Sequence, residues 1–357
     1  SRETASRHST GSADCWNEGA RTACSIAGKG GNRLFNRYTS KQTYRTVPPS
    51  LGTPEEARRT VETAEADFEA RLVALSAAVS RECAEDGIRI LRLTGPTCSG
   101  KTTAAGKLTE ALEAAGLSVY PISLDDFYLD RQELEERARA RGGTPDYDSA
   151  DTLDLGAMEA CVRELRRTGE TDIPVFNFTT GNRAGTRHLA VPAGEKPVFL
   201  FEGIQALYPP VTALFADIPS RSVYISALHG LEVAGEIFPP VELRLLLRLV
   251  RDEAVRDATP AFTLALWESV RANEETSILP FANGCDYLID SAMPFELHML
   301  KPYLERLFRD YPVTGRHAVR AEHILASLRV VEGIPSAYLP AGALYREFIP
   351  MCLETDR

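Results

Sequence analysis

The sequence predicts a three-layer α/β protein with a mainly parallel sheet, extended by helical N- and C-terminal additions, and three observations carry that prediction. Gly95 to Thr102 fits GxxxxGK[ST] and lies between a strand-like run, Ile88 to Thr94, and a helical run, Lys101 to Ala115. Pro197 to Phe201 (PVFLF) is a continuous apolar segment of strand length, as expected for a strand covered on both faces. Strand-like and helix-like segments alternate through residues 87–312. A glycine loop joining strand to helix inside such an alternation specifies a P-loop NTPase fold.

Taken in order, residues 1–52 read as a disordered basic tail, with 8 Lys/Arg against 3 Asp/Glu in the first fifty positions. Thr53 is an N-cap candidate before Pro54 at N1, with Glu55 and Glu56 complementing the dipole, so a leading helix is expected over 53–86. The P-loop domain then occupies 87–312. After the loop and its helix, Gly116 stops the periodicity and Leu117 to Ser123 reads as a second strand. Asp154 to Arg167 is helical, Asp172 to Phe178 a short strand, and Arg221 to Ser226 and Asp286 to Ile289 further strands. Helices are expected at Val241 to Arg256, Ala261 to Asn273 and Phe295 to Leu307. Residues 313–357 form a C-terminal extension with a helix near Ala321 to Leu328.

Composition bounds the function. With 357 residues, 44% of them hydrophobic and 25% charged, the chain can build a full core. No apolar run approaches the roughly 18 residues of a membrane span, so no membrane partner is expected. The net charge of −10 argues against a general nucleic-acid binder, which needs a basic surface. The seven cysteines are scattered, with no CxxC pair, and read as reduced thiols of a cytoplasmic protein; import into an organelle through the basic tail is the alternative.

The chemistry concentrates on phosphate. In Gly95, Pro96, Thr97, Cys98, Ser99, Gly100, Lys101, Thr102 and Thr103 the glycines let backbone N–H groups curl around phosphate oxygens. Lys101 reaches the β- and γ-phosphates, and the Thr102 hydroxyl can ligate Mg²⁺. Carboxylates must complete the metal site and, for transfer to a hydroxyl, supply a base. Asp125 with Asp126 follows the strand ending at Ser123, and Glu202 follows PVFLF, so both stand at strand C-termini where α/β sheets hold ligands. Taken singly, either could be a turn acid. Arg244, Arg248 and Arg251 share one face of a helix at i, i+4, i+7: a solvated basic face in isolation, a phosphate-gripping row beside a P-loop.

The ordered motifs GPTCSGKTT (Gly95 to Thr103), SLDDFY (Ser123 to Tyr128), YDSADTLD (Tyr147 to Asp154), IPVFNFTTGNR (Ile173 to Arg183), LFEGI (Leu200 to Ile204) and LRLVRDEAVRD (Leu247 to Asp257) resemble the uridine kinase and phosphoribulokinase family. The likeness runs from about Arg89 to Arg309. LALWESVRANEETSILPF, MPFELHMLKPY and LYREFI look most like a bacterial uridine kinase or nucleoside kinase branch. The resemblance implies ATP as phosphoryl donor, Mg²⁺ as cofactor, and a small hydroxyl-bearing acceptor. It makes Asp125 the general base, places Thr102, Asp125 and Glu202 at the metal, and forms a lid over ATP from Arg248, Arg251 and Arg256. On the acceptor side stand Asp148, at a position that binds ribose hydroxyls, with Tyr128, Phe176 and Arg183. Phe176 and Gly181 stand where uridine-cytidine kinases carry a Tyr and a His, which bears on acceptor choice. The expected function is therefore an ATP-dependent kinase acting on the 5′-hydroxyl of a pyrimidine ribonucleoside. A phosphoribulokinase-like sugar or small-alcohol kinase and a catalytically inactive nucleotide-binding module are the alternatives. Assembly into a homo-oligomer is left open.

Overall fold

The computed structural model describes residues 43–143 and 149–349. Five parallel strands form the central sheet: β2 (Ile90–Thr94), β3 (Ser118–Ser123), β6 (Pro197–Glu202), β7 (Ser220–Ser226) and β10 (Tyr287–Asp290), in the order β10-β7-β2-β6-β3. Side chains alternate across a strand, and here the two faces bury into separate cores. Val198 and Leu200 of β6 join one apolar cluster with Leu91 and Leu93 of β2, while Phe199 and Phe201 join Ile90 and Ile122 in the other. Covering both faces explains why PVFLF has no polar alternation.

On the first face lie α1 (Pro54–Glu85), α2 (Lys101–Ala114), α6 (Pro240–Arg256), α7 (Pro260–Asn273) and α9 (Glu296–Asp310). The other face is covered by α4 (Leu155–Thr168) and neighbouring loops. The start of α1 carries the full capping box: Thr53 Oγ1 accepts from Glu56 N at 3.3 Å and Thr53 N donates to Glu56 Oε2 at 2.7 Å. Helix α4 starts one residue later than expected because Asp154 serves as its N-cap, accepting from Ala157 N at 2.8 Å.

Two elements differ from the sequence reading. Tyr44–Thr46, placed in the disordered tail, forms β1 and pairs in parallel with β8 (Gly230–Val233), which in turn pairs antiparallel with β9 (Glu236–Phe238). Gly230 permits this approach, since a Cβ there would stand 2.6 Å from the Tyr44 ring. Val47 and Leu51 are buried behind β1, so order begins before Thr53. The remainder of the tail, residues 1–42, lies outside the described residues.

The strand expected at Asp172 to Phe178 is β4 (Glu170–Asn177), and it leaves the parallel sheet to pair antiparallel with β5 (Asn182–Ala190). The turn between them is set by Asn177, whose Oδ1 accepts from Thr179 N and Thr180 N.

The C-terminal extension packs into the first core. After α10 (Ala318–Ser327) the chain returns so that Leu344, Tyr345, Phe348 and Ile349 are buried in the same cluster as α1 and α2.

Candidate functional site

The phosphate loop begins where β2 ends. Thr94 Oγ1 donates to Ile204 O at 2.9 Å and Gly203 N donates to Leu93 O at 3.1 Å, so the loops after β2 and β6 are tied together at the C-terminal edge of the sheet. Gly95 has no room for a side chain: a Cβ would lie 2.1 Å from Ile225 O. Gly100 sits at φ +81°, and Cys98 also has positive φ (55°), an uncommon conformation for a non-glycine residue that turns the loop back on itself. The Cys98 side chain is buried, in keeping with a space-filling role. Helix α2 starts at Lys101, whose Nζ donates to Pro96 O at 3.0 Å across the loop; Thr102 is exposed at the same end.

Strand register brings the acids to this loop. Glu202 is the partner of Leu93 on β2 and of Ser123 on β3, and Asp125 lies two residues past Ser123. A short 3₁₀ turn, Leu124–Phe127, is capped by the Ser123 hydroxyl accepting from Asp125 N. The groups sense one another. Burial pushes the Glu202 carboxyl up to about 7, with Lys101 opposing and Asp125 and Glu347 adding to the rise. Among the described residues no group of three or more His, Cys, Asp or Glu is placed to hold a metal ion alone. Mg²⁺ takes one or two carboxylates and completes its shell with water and substrate phosphates; the two carboxylates at this edge, Asp125 and Glu202, lie close enough to influence each other's ionisation.

The arginines of α6 divide into two roles. Arg244, 3% exposed, forms a bidentate pair with Glu274 (2.5 and 2.7 Å) and donates to Thr97 O at 3.0 Å, so it braces the phosphate loop from behind. Arg248, Arg251 and Arg256 converge on Asp252, at 3.1, 2.6 and 3.6 Å, rather than standing out as a free row. Arg248 and Arg251 are largely covered and Arg256 is exposed. Arg251 still faces the loop: desolvation is outweighed by the Cys98, Asp252 and Glu347 side chains, and its pKa is raised.

Beyond the 3₁₀ turn, Tyr128, Phe176 and Phe178 form an aromatic triangle with ring centroids 5.1–5.8 Å apart, and Phe178 is 61% exposed at its rim. Gln205, fully buried, donates through Nε2 to the Tyr128 hydroxyl at 3.0 Å. Arg183 is committed locally, donating to Asp154 Oδ2 (2.9 Å) and Tyr128 O (3.3 Å), which pins the β4–β5 hairpin to the loop after Phe127. Gly181 is at φ +70° beneath Arg131, where a Cβ would lie 2.7 Å from Nε. Glycine at this position is thus a requirement of the hairpin turn. Asp148 lies outside the described residues.

The sequence reading missed Phe178, Gln205 and Glu347. Phe178 was signalled by the alternation FNF, which puts Phe176 and Phe178 on one face. Gln205 and Glu347 had no local signal, because their placement depends on how distant segments meet.

Residues 90–294, more than half of the chain, match the Phosphoribulokinase / Uridine kinase family. The chain belongs to that family. Uridine kinase of Saccharomyces cerevisiae is 27% identical over 203 residues, covering 57% of this chain and 36% of its own length. Uridine kinase of Schizosaccharomyces pombe is 31% identical over 34% of this chain and 25% of its own length. Uridine-cytidine kinase B of Dictyostelium discoideum is 27% identical over 56% of this chain and 73% of its own length. The match thus spans about a third or less of the two yeast enzymes. The family segment holds the phosphate loop, both acid positions, the β4–β5 hairpin and α6, whereas Glu347 lies beyond it.

Proposed function

We propose that this chain is an ATP- and Mg²⁺-dependent kinase that transfers the γ-phosphoryl group to a primary hydroxyl, the 5′-OH of a pyrimidine ribonucleoside. One observation carries the reading: Lys101, Asp125 and Glu202 meet within electrostatic reach at the edge of a P-loop, inside the segment that belongs to a kinase family.

The chemistry follows from placement. Backbone N–H groups at the loop and the start of α2 hold the donor phosphates, and Lys101 exchanges its contact with Pro96 O for phosphate oxygens. Asp125 accepts the proton of the acceptor hydroxyl as its oxygen bonds to the γ-phosphorus and the bond to the β,γ-bridging oxygen breaks, releasing ADP. Thr102, Glu202 and Asp125 would hold Mg²⁺, which would supply positive charge to the phosphate oxygens when bound. Arg251 and Arg256 add to it when they turn from Asp252 toward the donor. The aromatic triangle offers a stacking face for a flat base.

The charge around the triangle favours a nucleoside over a phosphorylated sugar. Arg183 is paired with Asp154, and Arg187 is 3.8 Å from Asp126, so an acceptor phosphate would have to displace a resident carboxylate from either of them, whereas an uncharged nucleoside would not. The test is ATP consumption measured with a panel of nucleosides and sugar phosphates. Acceptor-stimulated turnover by uridine or cytidine, lost in Asp125→Asn, is expected. Stimulation by sugar phosphates alone would replace the acceptor, and turnover unaffected by any acceptor would sink the kinase reading.

A further inference from the structure

The start of α2 already carries an anion from the chain itself. Thr103 N, in the first turn of the phosphate-loop helix, donates to Glu347 Oε2 at 3.1 Å, across a sequence separation of 244 residues. The same carboxylate contributes to the shifts at Glu202 and at Arg251, so it lies among the groups assigned above to the donor phosphates. Backbone N–H groups at a helix N-terminus beside an arginine are the partners a P-loop offers to phosphate oxygens.

The turn presenting Glu347 is anchored on both sides. Leu344 is fully buried against Gly100 of the loop, where a Cβ would stand 2.7 Å from Leu344 Cδ1, and its N–H donates to Glu65 Oε2 at 3.0 Å. Tyr345 packs edge-on against Phe295, 5.4 Å between centroids, and Phe348 is 1% exposed. The Glu347 side chain itself is only partly buried. The backbone therefore stays docked while a rotamer change at Glu347 clears the N–H groups.

We propose that Glu347 belongs to the donor site as an internal stand-in for phosphate: its carboxylate competes with the donor for the start of α2, and donor binding requires the side chain to swing away. The inference rests on the donor-site reading above. Two anionic oxygens drawn to one N–H repel each other and each bonds it more weakly, and a carboxylate left beside the triphosphate would repel it. Glu347 thus sets donor affinity from outside the family segment.

The experiment is calorimetric binding of Mg·ADP, without acceptor, to the full chain and to Glu347→Gln. Loss of a charge-assisted contact that competes with the ligand is expected to tighten binding about tenfold. Glu347→Asp, one methylene shorter, keeps the charge but loses reach, and is expected to bind more tightly than the parent as well; it carries the test if the Gln variant does not fold. Unchanged or weaker affinity in the folded variants overturns the proposal and leaves the donor site standing. Absence of Mg·ADP binding to the parent and variants alike overturns the donor-site reading itself.

Discussion

Replacing Arg244 with Met tests whether the phosphate loop is braced from behind. The substitution preserves an unbranched side chain of similar length and removes the guanidinium that is bonded to both Glu274 oxygens and to Thr97 O. Arg244 and Glu274 are 3% and 2% exposed, so the change strands a buried carboxylate. Breaking such a pair costs about 3–5 kcal/mol. Arg271, 25% exposed, also contacts Glu274 and remains, which places the expected loss near the lower end, about 3 kcal/mol. For a chain of 357 residues that is a Tm lower by roughly 4 °C. The pair also fixes the pH dependence. Burial would raise the Glu274 pKa, but Arg244 and Arg271 outweigh it and hold it below the ordinary 4.5. A depressed carboxylate contributes stability that is present above 4.5 and lost as pH falls through the folded value. The deficit of Arg244→Met is therefore full near neutrality and shrinks in acid. Differential scanning calorimetry at two pH values measures it, with the double variant Arg244→Met/Glu274→Gln as control. The double variant should recover much of the loss, because no buried charge remains. A Tm drop of less than about 2 °C in the single variant, or no recovery in the double, would refute the bracing argument.

Two further outcomes follow from the same geometry. Lys101→Ala should lower kcat/KM by about two orders of magnitude or more while shifting Tm by only about 1–2 °C, since one partly exposed hydrogen bond to Pro96 O is lost. Steady-state kinetics beside thermal melts would show an activity loss without unfolding; near-parent turnover would remove Lys101 from phosphoryl transfer. Burial pushes the Glu296 carboxyl up to about 8, against Tyr345. Such a group stays protonated in the folded chain while the unfolded one ionises, so its contribution is whole below 4.5 and fades as pH rises toward 8. Glu296→Gln should remove a slope of about 1.4 kcal/mol per pH unit from that window in urea titrations. An unchanged slope would show that the carboxyl ionises freely in the folded chain.

How much was legible depended on whether the signal was local. The order β2, loop, α2, β3 was readable because Gly100 at positive φ and Lys101 reaching back to Pro96 O answer to short-range geometry, and Thr53 with Glu56 announced α1 for the same reason. The β4–β5 hairpin was half legible. Thr171, Ile173 and Pro174 of β4 are buried, but β5 exposes all its residues except Leu189, so it lacks an apolar face to betray its period. β1 could not be found at all: three residues are too few for periodicity, and their pairing with β8 is decided by a glycine 186 positions away. Candidate site residues followed the same division. Asp125 and Glu202 were marked by the strand ends on which they sit, while Gln205 and Glu347 acquire their positions from contacts across the fold.

The arginine row shows why spacing alone misjudges charge. On a helical wheel Arg244, Arg248 and Arg251 form one stripe, and a stripe beside a P-loop suggests three equivalent phosphate ligands. The fold separates them by depth. Arg244 sits where Glu274 and Trp267 enclose it and can serve only the loop's backbone. Arg248 and Arg251 sit a turn or two further along, where both bond the Asp252 carboxylate. In a chain whose net charge is −10, Arg244, Arg248 and Arg251 are each already held by an acid, while Lys101 is held by the Pro96 carbonyl. Under the proposed function, phosphate binding would be an exchange of anions, with Asp252 and Glu347 giving up contacts as the donor takes them. Affinity is set by the difference between two sets of charge-assisted bonds, which is why removing one resident carboxylate is expected to strengthen binding rather than weaken it.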